Sequence, residues 1–233
     1  MTPTQPDKPI RLNKHIALQM GISRREADDY IERGYVKVNG IVINLGARID
    51  ENDEVIVNGT ALNSNTAFQY LAFHKPNGYV CSRRSQGGLP TIYELLPPEY
   101  HHLKTVGRLD FNSSGLILLT NDGDFTYRLT HPKFAKTKVY KVRLDHELEP
   151  LHQQMISDYG VQLEDGASKM MLERLNDEDR LDWKVTMSEG RNRQIRRTFA
   201  SLGYEVKKLH RITFGNYSIG DIKTGQYEIV DMQ

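Results

Sequence analysis

Cysteine is nearly absent from this chain. Cys81 is the only one among 233 residues, so no internal disulfide can form, and a lone thiol fits a reducing cytoplasm. Long apolar runs are missing too. None approaches the roughly 18 residues that a membrane-crossing helix requires, so no membrane association is expected. The eight histidines are scattered, and no Cys/His cluster has zinc-site spacing. Neither a metal nor a cofactor is expected. Residues 1–9 have no apolar segment of the signal-peptide kind and read as a flexible tail. The chain also lacks an excess of charge of either sign, with a net charge of +1.

The charge that is present is unevenly placed. From 186 to 214 seven basic residues face two acidic ones, a local +5, whereas 145–182 carries eleven acids against three bases, a local −8. A phosphate-binding face needs a local positive field, not a positive total. The 38% hydrophobic and 26% charged composition is that of a globular protein with enough chain for two domains.

Residues 10–59 carry strong local signals. Leu12, Ile16 and Met20 recur every four residues on one helix face, with Gly21 placed to cap its end. Ser23-Arg24-Arg25-Glu26 reads as a capping box opening a second helix, with Ala27, Tyr30 and Ile31 inward and Gly34 at its end. Tyr35–Val38 and Ile41–Ile43 flank Asn39-Gly40, a strong hairpin signal, and Val55–Val57 supplies another strand. Residues 60–66 read as a polar linker, after which 67–233 forms a second domain. There, strands at 70–73, 139–144, 183–187, 208–214 and 226–230 alternate with helical stretches near 92–96, 124–130, 147–159 and 192–202. That order predicts an α+β fold with a mixed, largely antiparallel sheet. Leu116–Leu119 reads as a buried strand or a buried helix edge.

The most informative string runs from Gly107-Arg108-Leu109-Asp110 through Ser113-Ser114-Gly115-Leu116 to Leu119-Thr120-Asn121-Asp122-Gly123. Taken alone, Asp110 is an acid at a turn. The whole string resembles the catalytic motif of the bacterial ribosomal RNA pseudouridine synthases of the small-subunit (RsuA) type. Three further strings resemble the same family: Lys75-Pro76-x-Gly78 with Pro90-Thr91, Lys138-x-Tyr140-x-Val142, and Glu189-Gly190-Arg191-Asn192-Arg193-Gln194-Ile195-Arg196-Arg197. Residues 23–40 resemble the S4 RNA-binding domain. Ser113 stands where the family commonly has threonine.

The resemblance implies an S4-like module that docks ribosomal RNA, with Arg11, Lys14, Arg24, Arg25 and Lys37 at the contacting positions. It implies a cofactor-free synthase domain, expected to be monomeric and cytoplasmic, that isomerises one uridine to pseudouridine. Asp110 is then the catalytic carboxylate, whether it attacks C1′, attacks C6 or removes the C2′ proton. Tyr140 packs on the uracil, and Arg196 pairs with Asp110. Arg108 helps hold the RNA open around a flipped base, while Arg193 and Arg197 share one helix side toward phosphate. Two other functions fit parts of the sequence, a non-catalytic ribosome-assembly factor and an aspartyl hydrolase of small molecules. The joint presence of Asp110, Tyr140 and Arg196 argues against the first, and the S4-like module against the second.

Overall fold

A computed structural model describes residues 9–62, 67–176 and 178–232. The expected tail (1–9) and linker (60–66) fall largely outside the described residues. The chain divides after Phe68 into two compact units.

In the N-terminal unit β1 (Ile10–Arg11) leads into α1 (Leu12–Gln19), followed by α2 (Arg24–Glu32). The capping box is formed: Ser23 Oγ accepts from the Glu26 amide at 3.1 Å, and the Ser23 amide donates to Glu26 Oε2 at 2.7 Å. Strands β2 (Val36–Val38) and β3 (Ile41–Val42) turn at Asn39-Gly40, both with positive φ. After β4 (Arg48–Ile49), β5 (Val55–Val57) and β6 (Thr60–Ala61) complete a four-stranded sheet in the order β3-β2-β5-β6. Thr60 and Ala61, expected in the linker, thus belong to this sheet. Leu12, Ile16, Ala27 and Ile31 pack on Val36, Val55 and Val57 as its core.

The second unit is built on β7 (Tyr70–Lys75), β8 (Lys104–Thr105), β9 (Ser114–Thr120), α3 (Gly123–Thr130) and β10 (Lys138–Leu144). A short α4 (Pro150–Gln154) precedes the hairpin β11 (Val161–Leu163) and β12 (Gly166–Ser168). Then come β13 (Met171–Arg174), β14 (Asp182–Met187), α5 (Gln194–Ala200), β15 (Val206–Phe214), β16 (Tyr217–Ser218) and β17 (Tyr227–Ile229). The main sheet runs β13-β14-β10-β15-β9-β7-β17, with β8 beside β9 and β16 beside β15. Every pairing in it is antiparallel except β9 with β15.

Leu116–Leu119 is strand, for a visible reason. Ile117 and Leu119 enter one core with Leu71, Phe73 and Trp183, whereas Leu116 and Leu118 enter another with Phe125, Leu129 and Phe214. A strand covered on both faces loses the polar–apolar alternation and reads as an unbroken apolar run.

Candidate active site

The parallel junction of β9 and β15 sets the site. There Arg211 lies opposite Gly115, and on its other side Arg211 lies opposite Tyr140 of β10. Gly115 has φ +108°, and a Cβ on it would sit 2.2 Å from the Arg211 carbonyl oxygen. Only glycine lets these two backbones approach so closely. The β10–β15 register shifts between Val139 and Tyr140, a bulge that re-aims the side chain next to it.

Just before β9 the chain turns, with the Ser113 amide bonded to the Asp110 carbonyl. Lys75, wholly buried at the end of β7, holds this turn from below. Its ammonium donates to the carbonyls of Pro76 (3.0 Å), Asp110 (3.1 Å) and Ser113 (2.6 Å). Burial lowers its pKa to about 8, against the opposing pull of Cys81 and Asp110. The Gly78 amide adds a bond to the Phe111 carbonyl. The Asp110 side chain is left about one-third exposed, at 35%.

The arginines close over the same turn from the start of α5. Arg193 Nη1 lies 3.5 Å from Asp110 Oδ2 and 3.4 Å from Asn112 Oδ1. Arg196 donates from Nη2 to the Asn112 carbonyl at 2.7 Å and from Nη1 to the Val206 carbonyl at 2.6 Å. Burial first, and then the nearby Arg193 charge, lower the Arg196 pKa.

This geometry corrects two expectations. The ion pair to Asp110 comes from Arg193, while Arg196 binds backbone carbonyls. Arg193 is not on the same helix side as Arg197 either. It stands before α5 in the left-handed conformation, φ +47°, and that swings its side chain to the turn. Arg197 is not left for phosphate, since it pairs through both nitrogens with Asp165 at 3.0 and 2.7 Å. Arg191 reaches the same carboxylate at 3.0 Å.

Asp110, Arg193, Arg108, Tyr140 and Arg211 line one cleft of about 630 Å³, together with Lys138, Leu209 and Phe214. Tyr140 is only 8% exposed, and its hydroxyl has no hydrogen-bond partner among the described residues. A buried tyrosine usually finds one. Arg108 is exposed at the rim. Lys75 stands in one of the family-like strings and Arg211 in the basic stretch, but the sequence assigns neither side chain a role. Arg211 is buried, donates from Nε to the Leu116 carbonyl at 2.8 Å and stacks over Phe214 at 4.7 Å. In the N-terminal unit Arg11, Arg24, Arg25 and Lys37 are exposed, and Lys14 is half-buried. Arg24 also bonds Asn13 at 3.1 Å.

The junction-built cleft thus brings the Asp110 carboxylate together with a tyrosine wall and several arginines, an arrangement able to take an anionic substrate with a planar group. Residues 69–201 match the RNA pseudouridylate synthase family and residues 10–55 the S4 domain. The chain belongs to the RNA pseudouridylate synthase family. It is 37% identical to the ribosomal small subunit pseudouridine synthase A of Pasteurella multocida, over 94% of each protein. It is 33% identical to the ribosomal large subunit pseudouridine synthase B of Bacillus subtilis, over 92% of this chain and 89% of that one. Against the large-subunit synthase B of Pseudomonas aeruginosa it is 35% identical, and there the chain spans 63% of the relative's length. A crystal structure of a pseudouridylate synthase superposes with a TM-score of 0.68 at 32% identity, over 95% of this chain and 96% of that one.

Proposed function

We propose that this protein isomerises a specific uridine of ribosomal RNA to pseudouridine, with Asp110 as the catalytic carboxylate. The observation that carries the reading is the single cleft where Asp110, Arg193, Tyr140 and Arg211 meet. The reaction breaks the N1–C1′ bond and joins C5 to C1′. C5 gives up its proton and N1 gains one, so composition is unchanged and no oxidant is needed. The cleft has to keep a carboxylate ionised, wall in the free uracil and exclude water.

The Arg193 guanidinium, 3.5 Å from Asp110 Oδ2, supplies a cation beside the carboxylate where bound RNA would exclude water. Lys75 and Arg196 fix the backbone beneath it, so the carboxylate is aimed by groups that do not themselves react. Tyr140 packs against the base, and its hydroxyl can relay the C5 proton, passing its own to water as it accepts that one. Arg108 at the rim supports the RNA while the uridine leaves its stack. The S4 unit docks the RNA through Arg11, Lys14, Arg24, Arg25 and Lys37. The ribosomal RNA enzymes this chain resembles support a cytoplasmic location, and we take the protein to be a monomer that uses no cofactor.

The test uses unmodified ribosomal RNA transcripts carrying tritium at uridine C5. Each turnover releases that tritium to water, and mapping the product locates the uridine. Wild type should release tritium, and Asp110→Asn should lose about 10³-fold or more in kcat, in keeping with a group that takes part in bond making or proton transfer. An Asp110→Asn protein that isomerises at near wild-type rate removes the carboxylate from the mechanism.

A further inference from the structure

One aromatic cluster stands outside the site just described. Tyr127 on α3 contacts His131 at 4.7 Å between ring centroids and Phe134 edge-on at 5.6 Å. His131 and Phe134 also meet, at 6.4 Å. The Lys133 ammonium sits 5.0 Å from the Tyr127 centroid and 4.7 Å from that of Phe134. These rings are not core. Tyr127 is 45% exposed and Phe134 38%.

Scattered surface aromatics need no explanation, but a mutually packed group beside a cleft does. The group is continuous with the reaction site. Thr130, His131, Pro132 and Lys136 line the same cleft as Gly107 and Asp110. The surface therefore combines three π-faces with the ammonium groups of Lys133 and Lys136, next to where the reacting nucleotide enters.

Stacking surface with interleaved cations suits an unpaired nucleotide, whose base has a π-face and whose phosphate is anionic. We propose that Tyr127, His131 and Phe134 form a stacking platform for an unpaired nucleotide flanking the target uridine, with Lys133 moving from the rings to its phosphate. The inference rests on the isomerase reading above. The platform would hold the strand beside a base that has left its stack, and so offset part of the flipping cost.

The experiment uses an RNA fragment around the modified uridine, with 2-aminopurine placed in turn at the two nucleotides on either side. Wild type should quench the probe at one of these positions. The double variant Tyr127→Ala/Phe134→Ala should lose that quenching and raise KM roughly tenfold or more, the loss expected for one base–aromatic stack, with kcat within about twofold. Tyr127→Phe, which keeps the ring, should behave as wild type. If the double alanine variant melts early, Tyr127→Leu keeps apolar packing without the π-face and should still raise KM. Unchanged KM and quenching in a protein that releases tritium overturn the platform alone. So would a wild-type dimer that the alanines dissociate with KM unchanged, which would make the cluster a contact between copies. Absence of tritium release by wild type overturns the isomerase reading, and the platform with it.

Discussion

Gly115→Ala tests the junction on which the cleft depends. An added Cβ would sit 2.2 Å from the Arg211 oxygen, 2.5 Å from its nitrogen and 2.8 Å from its carbonyl carbon. Ordinary contact begins at 3.4 Å, so β9 and β15 must part by about 1 Å. All three obstacles are backbone atoms, so no side chain can rotate away. The positive φ adds strain of about 1–3 kcal/mol, and forcing atoms into packed space adds about 1–3 kcal/mol more. The sum, roughly 2–6 kcal/mol, is a large share of a domain's total stability. At about 2–4 °C per kcal/mol for a domain of this size, the melting temperature should fall by roughly 5–20 °C. Two other glycines separate the causes. Gly203 has φ +93° with open space around it, so Gly203→Ala carries only the conformational strain. Gly123, at the start of α3, has neither positive φ nor a near neighbour, and Gly123→Ala should be neutral or slightly stabilising. Calorimetry on the three variants gives the ranking. The folded fraction of Gly115→Ala should also lose about 10²-fold in kcat, because Tyr140 and Arg211 move relative to Asp110. A Gly115→Ala protein no less stable than Gly203→Ala would refute the close-approach argument.

Arg193→Ala should lower kcat by removing the cation beside Asp110, and Arg193→Lys, which keeps the charge, should recover much of that loss. Arg196→Lys should recover little of the Arg196→Ala loss, because one ammonium does not replace the fork that bridges the Asn112 and Val206 carbonyls. A reversed pattern of rescue would return the Asp110 partnership to Arg196. Tyr140→Phe keeps the uracil wall but not the hydroxyl, so kcat should fall with KM little changed; a wild-type rate would leave Tyr140 as a wall only. Lys75 provides a stability test. Its folded pKa, about 8, lies below the unfolded value, so between the two the unfolded chain binds more protons and stability rises with pH. The stability difference between wild type and Lys75→Met, from denaturant melts, should therefore grow in favour of wild type from pH 8 to 10; a flat difference would mean Lys75 titrates normally.

What could be read from the sequence was what local chemistry decides. The capping box, the Asn39-Gly40 turn and Gly21 as the stop of α1 each depend on a few adjacent residues, and each is present. The helix expected at 147–159 is α4 continued by a π-helical turn over Met155–Tyr159, ended by Gly160 at φ +83°. The hairpin β11–β12 was missed, although Val161-Gln162-Leu163 before Asp165-Gly166 is the expected signal. Lys75 and Arg211 stand in recognisable strings, but their burial could not be read from pattern, because lysine and arginine are rarely buried whole. Only the tertiary arrangement supplies the carbonyls that accept from them. Arg193 escaped for a different reason. A helical periodicity argument assumes helical backbone, and the left-handed residue ahead of α5 does not obey it.

The same arrangement changes the meaning of the basic stretch 186–214. Arg191 and Arg197 are committed to Asp165, Arg193 to Asp110, Arg196 to the Asn112 and Val206 carbonyls, Lys207 to Glu205 and Arg211 to the Leu116 carbonyl. Lys208 alone of the seven has no protein partner among the described residues. The positive charge is therefore largely used to build the cleft. Arg191 and Arg197 tie the β11–β12 turn to the segment that presents Arg193, so the acidic region contributes the anchor for the basic one. A phosphate approaching Arg191 and Arg197 meets donors already occupied and gains less than free cations would give, whereas Arg193 and Arg211 keep unused donors, Nη2 of Arg211 among them. Much of the electrostatic attraction for RNA would then come from cations outside this stretch. The exposed Arg11, Arg24, Arg25 and Lys37 of the N-terminal unit, and Lys133 and Lys136 beside the cleft, are such cations. On the proposed reading, binding and chemistry would fall to different charges: substitution of the outlying cations should flatten the salt dependence of RNA binding, and substitution of the cleft arginines should lower turnover.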